Sequence, residues 1–527
     1  MSIDTVPRLA ALLVALTLAS PALSQTQPAD AAPSGAPLSA IDWLSQSLVT
    51  PAAQPVAVPS EPAVTGQGGA LPEDVTTSVL GQSSLDAVGI LPPQITGLPR
   101  NLWGLGKASD IETLLAAQEP QDLPALQGLL LTLLLAEAEP PADVPPGENL
   151  LLARIDKLLS IGALDQARAL LDAAGPAASP ELFRRYFDVA LLIGDEGRAC
   201  NILRDAPGLS PALPTRVFCL ARAMDFDAAA LTLDTARSLG TVSPEDAALL
   251  DRFMNPELDE TDIAPTLPAV ITPLTLRLFE AIGEPMVDVP LPVAFSYADL
   301  SDNAGWKAQI EAAERLSRAG AISPNLLLGL YTSQRPAASG GLWDRVAAFQ
   351  KLDKAVTAGD VRATEQALPA AWVEMTAAEL EVPLASIYAD KLSKMTLGPE
   401  ASEIVFQISL LSSDYESLSA ARASTSPRDQ FLAALAKGKL DGVAPPDTMS
   451  AAISAGFADA PIPDDFQIML DQKRIGEVIL LAMSRIEHGT AGDLRGVTDG
   501  LAVLRHIGLE DAARRSAIEL LLLDRRG

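Results

Sequence analysis

Few residues in this 527-residue chain are equipped for chemistry. There are two cysteines, Cys200 and Cys219, and two histidines, His488 and His506, both near the C-terminus. Two His and two Cys at those separations do not make a zinc-finger spacing, and a lone His on a helix is ordinarily a surface or packed residue, so no metal site is expected. The chain has no Gly-x-Ser-x-Gly, no His-Glu-x-x-His, no phosphate-binding loop and no dinucleotide fingerprint after a strand, so no cofactor is expected either. Carboxylates abound. Among them Glu416 is followed directly by Ser417 in "YESLS", a pair that can serve an acid-catalysed reaction or simply lie on a solvated helix.

The start of the chain bears on those cysteines. Arg8, the apolar run "LAALLVALTLA" (9–19) and the small residues "ALS" (22–24) read as a secretory signal, with cleavage near Ser24 and a mature start near Gln25. The periplasm is the expected compartment. No later apolar run approaches the roughly 20 residues of a membrane helix, so no membrane insertion is expected after cleavage. A net charge of -29 opposes binding to nucleic acid and to anionic lipid. Aromatics make up only 4% of the chain, thin for stacking sugars or bases, whereas apolar residues make up 48%, mostly Ala, Leu and Val, enough to fill a helical core.

The elements that position these residues are helical. From about 107 onward, stretches of helical periodicity alternate with short Gly, Pro, Asp or Ser breaks, without sustained period-two alternation. Within them a pattern recurs. Gly162, Gly194 and Met224 are 32 and 30 residues apart. Five residues on stand Ala167, Ala199 and Ala229, and seven further stand Ala174, Ala206 and Ala236. A small residue at the turn permits a tight bend, and each Ala permits close approach of a second helix. "TAGDVRATEQALPA" repeats the theme at Ala358, Ala363 and Ala370, and "HIGLEDAARRSAIELLLL" (506–523) carries its first half.

These residues resemble the tetratricopeptide family of helical-hairpin repeats, which places a small residue at the turn, an Ala five later and another seven after that. The match covers roughly 150–250. The family's Trp and Tyr on the first helix are missing, and the period is shorter than 34. The resemblance implies an all-α, helical-hairpin repeat solenoid whose concave face binds protein or peptide. Stacking follows independently, because a hairpin with one apolar face cannot bury it alone; an ordinary helical bundle is the other reading. In either hairpin arrangement Cys200 begins the second helix of one unit and Cys219 lies late in the first helix of the next. They flank a turn near 209–213 at similar distances, which sets them side by side. In an exported chain this pairing is expected to be a disulfide; the alternative is two buried, inert thiols.

Domain boundaries follow composition. After the signal (1–24), a Pro/Ala-rich linker (25–84) holds one island, "SAIDWLSQSLV" (39–49), in which Ile41, Leu44 and Leu48 fall at helical spacing beside Trp43. It reads either as a docking helix for a partner or as a segment that folds back onto its own domain. Residues 85–106 carry too much Pro and Gly for a long helix and are expected to lie extended along the helical body, with Trp103 buried at the end. Three helical blocks are expected, 107–260, 301–445 and 446–527, with a Pro-rich break at 261–300. The chain also resembles, weakly, the superhelical part of soluble lytic transglycosylases, but Glu416 and Ser417 are not followed by their Gly-Leu-Met-Gln motif. The function expected is therefore a non-catalytic exported scaffold that binds other proteins or peptides in the cell envelope. The alternatives are a peptidoglycan-acting enzyme or its regulator, and a structural subunit of an envelope machine.

Overall fold

The computed structural model describes residues 84–523, apart from 120–121, 144–146, 211, 256–264, 269, 285, 287–288, 337, 420–425 and 459–460. The signal and the 39–49 segment, with Ile41, Trp43, Leu44 and Leu48, lie outside the described residues. Among the described residues the chain is all-helical; the only pairing of extended backbone is an isolated parallel bridge between Leu91 and Ala136. No described helix is long and apolar enough to cross a membrane.

The helices are joined in pairs by one kind of turn. Gly162, Gly194, Met224, Gly359, Glu379, Lys473, Gly492 and Gly508 all hold a positive φ after a helix. The residue following each closes the helix end by donating its N–H five residues back, as Ala163 does to Leu158 (2.8 Å), Asp195 to Ala190 (2.8 Å) and Asp360 to Ala355 (3.0 Å). Five residues beyond each turn residue stand Ala167, Ala199, Ala229, Thr364, Leu384, Val478, Val497 and Ala513, every one at 0% exposure. That position lies in the first turn or two of the second helix, on the side facing the helix just completed, so its volume sets how closely the pair can pack. At Met224, Glu379 and Lys473 a side chain is held in the left-handed region at a cost of about 1 kcal/mol, which the packing beyond the turn must offset.

The pairs Asn149–Ser160 with Leu164–Ala174, Pro180–Ile193 with Glu196–Asp205, and Leu213–Arg222 with Phe226–Leu239 follow one another along the chain. The succession is then interrupted. The helix Pro273–Ala281 returns to pack on Pro180–Ile193, and the 3-10 segment Val293–Leu300 packs on both Pro180–Ile193 and Asn149–Ser160. Arg277 fixes the return by donating to the terminal carbonyls of Leu191 (2.6 Å) and Leu192 (3.2 Å). Pro273–Ala281 and Val293–Leu300 thus pack back onto helices that precede them. Pro273 sits in the first turn of a helix, where its missing N–H costs nothing, and starts an element where the composition indicated a break.

The C-terminal helices do not stand apart either. Ile475–Glu487 packs on Ala108–Ala117, and Glu510–Leu522 packs on Pro124–Leu135. The Leu-rich helix Pro124–Leu135 is buried on nearly every side, which its apolar composition requires. Its first N–H groups are met by carboxylates from the far end of the chain: Ala125 donates to Glu519 (2.8 Å) and Asp122 to Glu487 (2.6 Å).

The 85–106 segment lies along this body, with short helical turns at Leu85–Ala87 and Pro93–Thr96. Ile90 and Leu91 donate to Leu135 O (2.9 and 3.0 Å), and Trp103 is buried against Gly476, where any Cβ would collide with the indole. Arg154, buried, donates to the carbonyls of Leu134 (2.7 Å), Val88 (2.7 Å) and Ala136 (2.9 Å). Buried Asp86 accepts from Leu151 N (2.9 Å) at the start of the same helix. Burial pulls the Arg154 guanidinium down to about 10 while Asp86 pushes it back up, so it stays charged at neutral pH.

Two tests follow. Ala199→Leu adds volume where none is available and is expected to cost about 1–3 kcal/mol in chemical denaturation, whereas Ala230→Leu on the exposed side of a neighbouring helix is expected to stay within about 0.5 kcal/mol. The second concerns pH. Burial raises the Glu487 carboxyl to about 7, against the opposing pull of the Asp122 N–H, and raises Asp188 to about 6 against Arg184 and Arg185. The native state thus binds these protons more readily than the unfolded chain, and the stability they contribute is lost progressively as pH rises from about 4, where the unfolded carboxyls ionise, up to 6–7. At Glu510 burial raises the pKa, but Arg514 and Arg505 outweigh it and the net shift is downward, so its contribution changes only in more acid solution. The melting temperature is expected to be higher at pH 5.5 than at pH 7.5. Glu487→Gln is expected to stabilise more at pH 7.5 than at pH 5.5, with the gain disappearing only below the unfolded pKa of about 4.

Candidate functional site

Two concave features bear on function: an open one of about 630 Å³ is lined by Glu416, Ser417, Lys437, Lys439 and Asp511, and a more enclosed, more apolar one is built by three consecutive helices. Gly194 ends Pro180–Ile193, and Glu196–Asp205 then turns Ala199 inward, leaving the adjacent Cys200 half-buried at the surface. The 3-10 turn Pro207–Leu209 reverses the chain, and Leu213–Arg222 brings Cys219 back. Cys200 and Cys219 are joined by a disulfide, with Cα atoms 5.2 Å apart and a sequence separation of 19. Arg216 holds the intervening turn by donating to Ser210 O (2.8 Å) and Pro207 O (2.7 Å).

The disulfide forms part of the lining of a cleft of about 540 Å³. Leu203, Leu220, Ala223 and Thr232 line it further, and Arg204, Arg216 and Arg222 supply its polar edge. Arg222 is paired with Glu196 at 3.0 Å, while exposed Arg204 stands 3.7 Å from its neighbour Asp205. Three guanidinium groups converge here in a chain whose overall charge is -29.

The helix Phe226–Leu239, which contributes Thr232 to the cleft, is apolar on two faces. Ala229, Leu233 and Ala236 face inward and are buried. Leu231 and Leu239, with Met224 at the turn before the helix, are 70%, 67% and 74% exposed. At 100° per residue Leu231 projects opposite the buried arc, whereas Leu239 flanks it, about 60° from Ala236 and 80° from Leu231. An amphipathic surface helix ordinarily carries charge on the side where Leu231 projects. Nothing reactive lines the cleft beyond the disulfide itself: it offers apolar surface, a covalent staple and cationic hydrogen-bond donors, which is equipment for holding a ligand.

The sequence-derived positions are distributed as follows. Gly162, Ala167 and Ala174 are buried in the first hairpin, and Ala229 and Ala236 in the third. Gly194 is exposed at its turn. Ala206, expected inside a helix contact, is only half-buried and lies just past the end of Glu196–Asp205, because Pro207 stops that helix early. The unit assigned to Ala358, Ala363 and Ala370 is displaced by one residue: the left-handed residue is Gly359, and Thr364 and Ala371 take the buried positions. Glu416 is 63% exposed and paired with Arg514 at 3.2 Å, so its carboxylate is solvated and salt-bridged, and Ser417 is exposed beside it. His488 and His506 are both exposed, and no cluster of potential metal ligands exists among the described residues.

The arginines of the cleft and the outward Leu231 and Leu239 were missed from sequence. A signal was present for Leu231, which falls on the side of the helix opposite the Ala229 and Ala236 that define its packing face; Leu239, at the flank of that face, gave none. No protein-family model, curated protein or solved structure matches the chain.

The disulfide closes a short loop and is expected to contribute about 2–4 kcal/mol. Reduction, or Cys200→Ser with Cys219→Ser, is expected to lower the denaturation midpoint accordingly and to speed amide exchange in 200–219. An unchanged midpoint would show that the cleft does not depend on the bond.

Proposed function

We propose that this chain is an exported, non-catalytic scaffold of stacked helical hairpins that binds a segment of another protein along the cleft and exposed leucines of residues 196–239. The observation that carries the reading is the exposure of leucines on Phe226–Leu239 beside a cleft edged by arginines. Exposed Leu231 and Leu239 next to a concave, largely apolar cleft give a ligand somewhere to bury apolar anchors. The ligand best matched is a segment with apolar anchors and a nearby carboxylate, the apolar groups taking the cleft and the carboxylate an arginine. The tetratricopeptide resemblance supports the same use, since that family binds peptides with stacked hairpins. Cell-envelope localisation is supported by the signal-like start and accords with the disulfide, a bond at home in oxidising compartments. The exposed, salt-bridged Glu416 lends no support to a peptidoglycan-cleaving reading.

The test is affinity recovery from gently cross-linked envelope fractions. Wild type and Val373→Asp, an equally exposed apolar site on a different helix, are expected to recover the same partner. Leu231→Asp with Leu239→Asp is expected to recover at least tenfold less. Equal recovery by all three would overturn the assignment of this face.

A further inference from the structure

We propose that the cleft is a site of thiol–disulfide exchange, where a small thiol carrying carboxylates attacks the Cys200–Cys219 bond and becomes joined to Cys200. The inference uses the cleft described above and does not need a protein partner to be bound there.

Access comes first. A disulfide that only staples a core is sealed from solvent, whereas both halves of this one line a cleft of about 540 Å³. The two cysteines are not equally open: Cys200 is half-buried and Cys219 is buried. An incoming thiolate therefore reaches the Cys200 sulfur, and Cys219 is the side that leaves.

Charge comes second. Cys200 stands in Glu196–Asp205 with Arg204 four residues on, and Cys219 stands in Leu213–Arg222 with Arg216 three residues before it and Arg222 three after. Those spacings put side chains on one face of a helix, and all three arginines line the cleft together with the disulfide. Two carboxylates offset part of their charge: Glu196 pairs with Arg222 at 3.0 Å, and Asp205 lies 3.7 Å from Arg204. Arg216 is held by the carbonyls of Ser210 and Pro207, which cancel none of its charge. Three guanidinium groups against those two carboxylates leave the edge of the cleft positive. A positive surrounding favours a thiolate over a thiol and so eases the departure of Cys219. It also selects the attacking thiol, since exposed Arg204 can hold a carboxylate of the ligand.

The exchange balances as follows. The ligand thiolate bonds to the Cys200 sulfur as the Cys200–Cys219 bond breaks, and the electron pair leaves on Cys219, which takes a proton from water. A second ligand thiolate attacks the ligand sulfur of the mixed disulfide and expels Cys200. Two ligand thiols are oxidised to one disulfide, and the protein bond is reduced to two thiols. Both cysteines of the chain are in the bond, so the reductant comes from outside. Because the bond joins two helices that wall the cleft, its shape then answers to the surrounding thiol pool.

The test treats the full chain with glutathione or with its diester, which has the same thiol without the carboxylate charge. After quenching with N-ethylmaleimide, the two cysteines are read by mass spectrometry in separate tryptic peptides. Glutathione is expected on Cys200 and maleimide on Cys219. The rate per thiolate is expected to be about tenfold higher for glutathione than for the diester. Added salt is expected to shrink that ratio, and so is Arg204→Gln. If that variant does not fold, the salt series on wild type decides. Equal rates for the two thiols would overturn the proposal, as would glutathione on Cys219 or an adduct formed only in denaturant. Exchange as described, with equal partner recovery by the Leu231/Leu239 variant, would remove the binding reading and leave this one. Loss of partner by that variant with no exchange would do the reverse.

Discussion

A left-handed residue at the end of a helix, followed five residues later by a side chain with no exposure, is the constraint from which most of this structure follows. The turn fixes the direction in which the next helix departs, and the buried position fixes how near it can come. Ala at that position in three neighbouring hairpins, and Thr, Leu, Val or Ala at the same position elsewhere, is in each case without exposure. Because the device is local, it can be repeated without long-range pairing. What it cannot supply is an end to the succession, since each hairpin leaves a face for the next.

That end is supplied by polar contacts, two of them spanning 365 and 394 positions of the chain and others nearer in sequence. Glu487 and Glu519 meet the N-terminus of Pro124–Leu135, and Arg154 gathers three carbonyls of the 85–106 segment and its neighbour. Each sits where an unpaired backbone group would otherwise be buried. Removing one member leaves the other's charge or carbonyl uncompensated, so these groups act more as determinants of which surfaces meet than as sources of net stability. The apolar material between them, chiefly the leucines of Pro124–Leu135, provides the driving force.

This division explains what could be read in the sequence. The hairpins of 150–250 and the pairing of Cys200 with Cys219 were legible because both depend on short, fixed offsets. The register at 358–371 was off by one because Ala358 and Gly359 are both small and only the backbone distinguishes which takes the left-handed conformation. Turns at Glu379 and Lys473 were invisible, because a charged residue there gives no compositional sign. Pro273 was read as a break because a helix-starting proline and a loop proline look alike without the tertiary contacts of Arg277. The closing of the C-terminal helices on Pro124–Leu135 left no mark, since a Glu that caps a distant helix is spelled like any solvated Glu. The arginine-edged cleft went unseen because its members come from separate turns of three elements.

Phe226–Leu239 is where the packing logic stops being sufficient: the helix is already satisfied on its inner side by Ala229, Leu233 and Ala236, yet Leu231 and Leu239 are left exposed beside the arginine-edged cleft. Photo-crosslinking in living cells, with a benzophenone side chain placed singly at 231, 239 or 373, addresses that claim most directly. Adducts to one other polypeptide from 231 and 239, and none from 373, are what the account requires. A pattern that does not differ between the three positions would contradict it.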